Sequence, residues 1–400
     1  MPELRHRTSL GALTAAAVLS LMTGCTGAAA GGAASSPPRS AAATASGSTT
    51  VPLGDVPTGS DATLAVGPVP YDGKTVVVAT FAQAMPGRPV SLQKQTDAGW
   101  VEVAQNNENK NGRAEFHPDA EQVSYRAVAL DFAVGSTTHT AVSTPKASAS
   151  DQWKRVFNDG FVGSTLSAPF AVRAANEYWA PRYCAASVPS MVSLSDGLLS
   201  LGVDQVTSQA KQKQVRANAA RANGTSVAKA CTDGVYDNAM VGTHERYLFT
   251  YGVVAARVKF PVQRGMHAAV WLKTADGKDV EIDVVESFGF GSKLGIQHML
   301  HPKNAAGDRL DEGTSVSNVP EVSDEDWWND FHTVSVEWSS SGYVFRLDGV
   351  ETFRTTEATS KVPHFLVLSL QTSDYETNRL DQSKLPASFV VDWVRVWQEL

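Results

Sequence analysis

Residues 279–288 read Asp279-Val280-Glu281-Ile282-Asp283-Val284-Val285-Glu286-Ser287-Phe288. Three acids, Glu281, Asp283 and Glu286, interrupt a run rich in β-branched residues. Alternate residues of a strand share a face, so Glu281 and Asp283 point the same way. Glu286 has the opposite parity and should point to the other side. One extra residue within Val284–Val285, a β-bulge, shifts the alternation and brings it back. All three carboxyls then line one face. Unpaired buried charges cost about several kcal/mol, so that face is not an ordinary core. An exposed strand with an acidic solvent face is the plain alternative. The other is a place where acids do chemistry. Two carboxyls about 5–5.5 Å apart across a glycosidic bond serve a retaining glycosidase.

At the N-terminal end, Met1–Leu21 has the marks of a targeting segment. Arg5 and Arg7 are followed by the apolar run Leu10–Leu21, which is short for a membrane span. Leu21-Met22-Thr23-Gly24-Cys25 resembles a bacterial lipobox, with Met22 the less usual choice at its position. The resemblance implies a signal peptide over residues 1–25 and a lipid on Cys25, anchoring the chain to the outer face of the cell membrane. A plain secretory signal is the alternative, and either one takes the chain out of the cytosol. Thr26–Thr50 is almost wholly Ala, Gly, Ser, Thr and Pro, the composition of a flexible tether. The chain has three cysteines. With Cys25 lipidated, Cys184 and Cys231 remain as an expected disulfide around the polar, helix-permissive segment Gln205–Thr225; two separate buried thiols are the alternative.

Residues 51–146 carry short β-like segments at Thr63–Val66, Thr75–Ala82, Pro89–Lys94, Trp100–Ala104, Arg113–Phe116 and Ser124–Leu130. Turn signals such as Tyr71-Asp72-Gly73 and Pro86-Gly87 separate them. The pattern resembles immunoglobulin-like or fibronectin III-like sandwiches, with Trp100 in the core and the role of a spacer; an auxiliary carbohydrate-binding module with Trp100 as a ligand platform is the alternative. Thr144–Ser150 reads as a linker. Residues 151–400 suit one large β-sandwich. Its apolar segments are short and alternating: Leu198–Val203, Tyr251–Phe260, His267–Lys273, Thr333–Trp338, Val344–Asp348, Phe365–Leu370 and Phe389–Gln398. The expected fold class is all-β.

Landmarks across residues 151–400 resemble glycoside hydrolase family 16 in type and order. They are Phe157-Asn158-Asp159-Gly160-Phe161, Tyr247–Gly252, Ala255–Pro261, Gly265–Leu272, the acid motif Glu281–Glu286, Phe331-His332-Thr333, Leu347-Asp348-Gly349 and Val391–Trp397. The resemblance implies a β-jelly-roll of the concanavalin A type and a polysaccharide substrate. It makes Glu281 the nucleophile, Glu286 the general acid and base, and Asp283 the group that sets their protonation. Neighbouring carboxylates are expected to raise the pKa of Glu286. The two residues between Asp283 and Glu286 match the bulged branch, which holds laminarinases, agarases and carrageenases. Trp271 is a candidate sugar platform, with core filler the alternative. His298 is the candidate site-facing histidine, with His301 the other possibility. Trp179 and Tyr247 are cleft candidates. Two departures bear on the substrate. His267-Ala268-Ala269-Val270-Trp271 replaces the family's Trp-Pro-Ala-Phe-Trp, and Ser369–Asp374 replaces Asn-Leu-Ala-Val-Gly-Gly.

No phosphate loop, dinucleotide fingerprint or zinc spacing stands in the sequence. The net charge of −7 and pI of 5.7 speak against a nucleic-acid partner. The expectation is a monomeric endo-acting β-glycanase on a glucan or galactan that needs no cofactor. Asp159 and Asp392 are candidates for a structural Ca²⁺. A glycan-binding protein on the same fold and a transglycosylase are the alternatives.

Overall fold

The alternating segments form strands, and the computed structural model is all-β apart from short helical turns and the helix Gln209–Asn223. It describes residues 56–173, 182, 184–223, 231, 234–244, 246–303, 307, 309–316 and 319–400. These fall within one compact unit, Thr50–Leu400. The signal segment, Cys25, the tether and Trp179 lie outside the described residues.

The first part of this unit is two small sheets. Thr63–Val66, Val77–Thr80 and Arg113–Phe116 form one. Gly99–Asn107, Pro89–Thr96, Tyr125–Ala129 and Val142–Ser143 form the other. Leu64, Val66, Val77 and Phe116 from the first meet Val90, Leu92, Tyr125 and Ala127 from the second in one apolar cluster. Trp100 is outside that cluster, half-buried under the Arg126 guanidinium, which lies 4.6 Å from its ring centre. Burial of an indole in the core, expected from the sequence, is replaced by a cation–π contact at the surface. The Gln152 side chain borders the first sheet. Its amide donates to Leu64 O at 2.7 Å and accepts from Val66 N at 2.8 Å.

The main strands of the second part are β1 (Trp153–Asp159), β2 (Leu198–Gln205), β3 (Tyr236–Gly242), β4 (Gly252–Lys259), β5 (Met266–Thr274), β6 (Glu281–Ser287), β7 (Ile296–His301), β8 (Glu312–Ser315), β9 (His332–Ser339), β10 (Gly342–Leu347), β11 (Val350–Thr355), β12 (His364–Thr372) and β13 (Ala387–Glu399). Their order is β8-β7-β6-β5-β12-β3-β2-β13-β4-β9-β10-β11, with β1 added on β13. The path folds on itself as a jelly-roll sandwich. Leu366 and Leu368 of β12, Val270 and Leu272 of β5 and Ile282 of β6 share one core with Val254 of β4, Val334 and Val336 of β9 and Val394 of β13. Two elements lacked a clear signal in the sequence. β3 is a central strand buried along nearly its whole length, and its sequence Tyr236-Asp237-Asn238-Ala239-Met240-Val241-Gly242 does not alternate. The helix Gln209–Asn223 is polar, and among its described side chains Val215 is buried, against the Cys184–Cys231 disulfide (S–S 2.14 Å) with Val206 and Val235.

The smaller part docks on the outer face of β9 and β10. Arg346 donates to both carboxyl oxygens of Glu115, at 2.8 and 3.1 Å, and Arg113 lies 3.4 Å from Glu351. Tyr71 lies against Gly349, where a Cβ would sit 2.2 Å from the ring. Burial pushes the Glu115 carboxyl up, but His117 and Arg346 outweigh it and hold it at about 2. A cavity of about 380 Å³ remains in the joint, lined by Val66, Val76, Trp153, Ser335, Glu337 and Val344 among others.

Candidate active site

On the opposite sheet, β6 carries the three acids into a cleft of about 360 Å³. Its register against both neighbours shifts between Asp283 and Glu286, so Val284 has no opposite number. Val284 and Val285 both enter the core, while Glu281, Asp283 and Glu286 all line the cleft. The bulge sits where the spacing of the acids requires it. β5 contributes His267, Ala269, Trp271 and Lys273 to the same wall, and β7 contributes Gln297, Met299 and His301.

Each carboxyl has a different neighbour. Lys273 Nζ donates to Glu281 Oε2 at 2.9 Å. His301 Nε2 lies 2.8 Å from Asp283 Oδ2, and His301 Nδ1 lies 2.7 Å from Asp311. Arg309 contacts His301 and pairs with Asp311 at 2.8 Å. His267 Nε2 donates to Glu286 Oε1 at 2.7 Å. Burial and the charges of Glu286 and Glu281 push Asp283 up to about 7, against the opposing pull of His301. Burial would lower His301, but Asp283 outweighs it and raises the imidazole to about 9. Burial pushes Glu286 up, yet the hydrogen bond from His267 and the charges of His301 and Arg182 hold it below the usual carboxylate range. The raised carboxyl of the cluster is therefore Asp283 and not Glu286, which corrects the sequence expectation. The cause is the histidine on β5, whose N–H stabilises the ionised form of Glu286.

Of the residues expected to bind substrate, Trp271 lines the cleft and donates from its indole to Ser369 at 3.2 Å. His298 does not reach the cleft. It shares parity with the core residues Ile296 and Leu300, meets Val284 O at 2.6 Å and Thr352 Oγ1 at 2.7 Å, and is fully buried. Burial pulls its imidazole down to about 4. His301, the other candidate, is the cleft histidine. Alternation with Ile296 and Leu300 was the signal that separates the two. Tyr247 is also not in the cleft. It stacks on Phe157 at 4.8 Å within the core periphery, and burial pushes its hydroxyl up to about 12. Cleft residues that the sequence reading gave no role are Arg182, His267, Lys273, Arg309, Gln371 and Tyr375. The β5 residues among them could have been found from parity with Trp271. Arg182 could not, because it arrives from a segment outside the main strands.

Glu281, Asp283 and His301 each offer one ligand atom within 4.8 Å of the others. Lys273 and Arg309 already supply positive charge beside these groups, which fits proton handling better than a cation site. Asp159 and Asp392, the calcium candidates, both have protein partners. Asp159 accepts from Phe161 N and Ser167 Oγ, and Asp392 is paired with Arg257 at 2.7 Å.

Residues 200–395 match the model of Glycosyl hydrolases family 16. The match covers just under half of the chain. The match takes in β2 to most of β13, and β1 adds to the same sheet ahead of it. Glucan endo-1,3-beta-glucosidase A1 of Niallia circulans is 27% identical over 192 residues, which are 41% of this chain and 26% of that protein. This chain therefore spans about a quarter of that relative's length. Two similar solved structures are a laminarinase catalytic domain from Thermotoga maritima and an endo-beta-1,3-glucanase from Pyrococcus furiosus. The first is 18% identical with a TM-score of 0.48, covering 62% of this chain and 99% of that one. The second is 18% identical with a TM-score of 0.48, covering 68% and 98%.

Proposed function

We propose that this protein is a retaining endo-β-glycanase, with a β-1,3-glucan of the laminarin type or a β-galactan as substrate. The observation that carries the reading is the bulged strand. It turns three acids out into a cleft while both valines between them stay in the core. A sandwich gains nothing in stability from three clustered carboxyls, whereas glycoside cleavage needs them. The matched family and the endo-1,3-beta-glucosidase relative support the substrate class.

In this reading Glu281 attacks the anomeric carbon, and the hydrogen bond from Lys273 holds it aimed. Glu286 gives a proton to the leaving oxygen and later takes one from water. Asp283 is the neighbouring carboxyl that holds a proton up to pH of about 7. With one proton needed in the cluster, kcat/KM is expected to fall as pH rises above about 7. A flat profile to pH 9 would remove Asp283 from the proton path. Trp271 offers a ring beside the acids for a sugar face. No cofactor enters this scheme.

The test is a panel of laminarin, mixed-linkage glucan, β-galactan and agarose, read as new reducing ends. Cleavage of one polymer by the wild type and not by Glu281→Gln is the expected result. Equal binding by both without cleavage would instead make the protein a lectin. We further propose attachment to the outer membrane face through Cys25. Cys25→Ala should then move the protein from the membrane to the soluble fraction, and unchanged retention would refute the anchor.

A further inference from the structure

His267 stands where the family pattern has an aromatic, and both of its ring nitrogens are engaged. Arg182 Nη2 donates to Nδ1 at 2.6 Å. A guanidinium can only donate, so Nδ1 carries no proton. The proton is then on Nε2, which points at Glu286 Oε1 at 2.7 Å. An imidazolium would set a second N–H against the guanidinium. Arg182 is itself held, by Gln371 Oε1 at 3.2 Å and by Asp374 at 3.7 Å. The imidazole ring is stacked on Phe288 with centres 4.5 Å apart. Among the described residues no hydrogen bond reaches Glu286 Oε2.

We propose that Arg182 and His267 are positioning residues that lock Glu286 by its Oε1 and leave Oε2 as the one oxygen that exchanges protons with the substrate. This rests on the glycanase reading above. In the first step the Oε2 proton passes to the glycosidic oxygen as the bond from that oxygen to the anomeric carbon breaks. Glu281 forms the new carbon–oxygen bond in the same step. In the second step water attacks the anomeric carbon, its proton goes to Oε2, and the bond to Glu281 breaks. An N–H fixed on Oε1 favours the ionised carboxylate, which is the form the second step uses. The lock therefore speeds turnover of the glycosyl-enzyme and lowers the pH at which Glu286 stops acting as an acid. The charged groups facing this pair are Arg182 and Asp374 on the His267 side, and Asp283, His301 and Arg182 on the Glu286 side. Glu281, Lys273 and Arg309 lie one shell further along the cleft.

The test uses the full chain and two readouts. In ¹⁵N-histidine spectra from pH 5 to 8, one imidazole should stay neutral with its proton on Nε2, and its signals should vanish in His267→Gln. In Arg182→Met the same imidazole should titrate. An imidazolium or an Nδ1–H tautomer at His267 in the wild type overturns the proposal. The kinetic probe is 2,4-dinitrophenyl β-laminaribioside, whose good leaving group exposes the second step. His267→Phe keeps the stack on Phe288 and removes the donor. It should lower kcat about tenfold or more and move the acid limb of kcat up by about one pH unit, because Glu286 must be ionised to take the proton from water. His267→Gln, which keeps an N–H donor, should recover most of both. A His267→Phe enzyme with wild-type kcat and limb, changed only in melting temperature, would make the residue merely structural. A wild type that cleaves neither this probe nor any polymer of the panel fails the glycanase reading, while the spectra still decide the lock.

Discussion

The two outer faces of the large sandwich are built by the same alternation and used in opposite ways. On the far face, Arg346 and its neighbours point out from β9 to β11 and meet Glu115 and Arg113 of the docked sheets. On the cleft face, the charged groups of β5, β6 and β7 meet one another: Lys273 with Glu281, His301 with Asp283, His267 with Glu286. On the far face Glu115 is paired across the joint and held down at about 2, while burial pushes Glu337 of β9 up. The cleft face leaves a carboxyl pushed up to about 7. Charge on a sheet is thus an instrument of assembly where a partner covers it, and of chemistry where none does.

The sharpest way to break this contrast is Glu281→Gln, which should cut kcat by more than about 10³-fold without moving the melting temperature. A folded but fully active variant would make the cleft acids ornamental. Next is the covalent tie beside the cleft. Reducing Cys184–Cys231 should cost about 2–4 kcal/mol in denaturant titrations, since the bridge closes a 47-residue separation. It should also loosen Arg182, two residues away, so that activity falls before global unfolding. On the far face, Gly349→Val should cost about 1–3 kcal/mol. A Cβ there meets the Tyr71 ring, and the backbone has φ +78°. Turnover per folded molecule should not change, and a parallel loss of kcat would show that the two faces communicate. The smallest effect concerns Glu115. Its folded pKa lies below the ordinary value of about 4.3. Its contribution is then present above pH of about 4 and lost as pH falls through about 2. Glu115→Gln should remove about 1 kcal/mol at neutral pH and flatten the acid side of the stability curve. An unchanged acid limb would mean that the ion pair contributes nothing to docking.

Much of this was legible in the residues. Strands such as Arg113–Phe116 and His332–Ser339 follow from period-two alternation, and the bulge in β6 follows from the count between Asp283 and Glu286. What failed did so for physical reasons. β3 is covered on both faces, so its pattern does not alternate. His298 was favoured over His301 on family position, although Ile296 and Leu300 fix its side of the strand. Tyr247, a cleft candidate in the sequence, instead stacks its ring on Phe157. The pKa order of the acids could not be read at all. It depends on Arg182 and His267, 85 positions apart, meeting through a tertiary contact.

Gln152 has a consequence outside catalysis. Thr63–Val66 is the end strand of its sheet, paired with Val77–Thr80 on one side only. An unpaired strand rim is a template for another chain and for fibrous self-association. By offering one donor and one acceptor to Leu64 and Val66, a single amide side chain imitates the next strand and closes the rim. The same residue ends the turn that leads into β1 of the large sandwich. The sheet is thus sealed by the chain that continues from it, and a molecule that has finished folding has also removed its own site for aggregation.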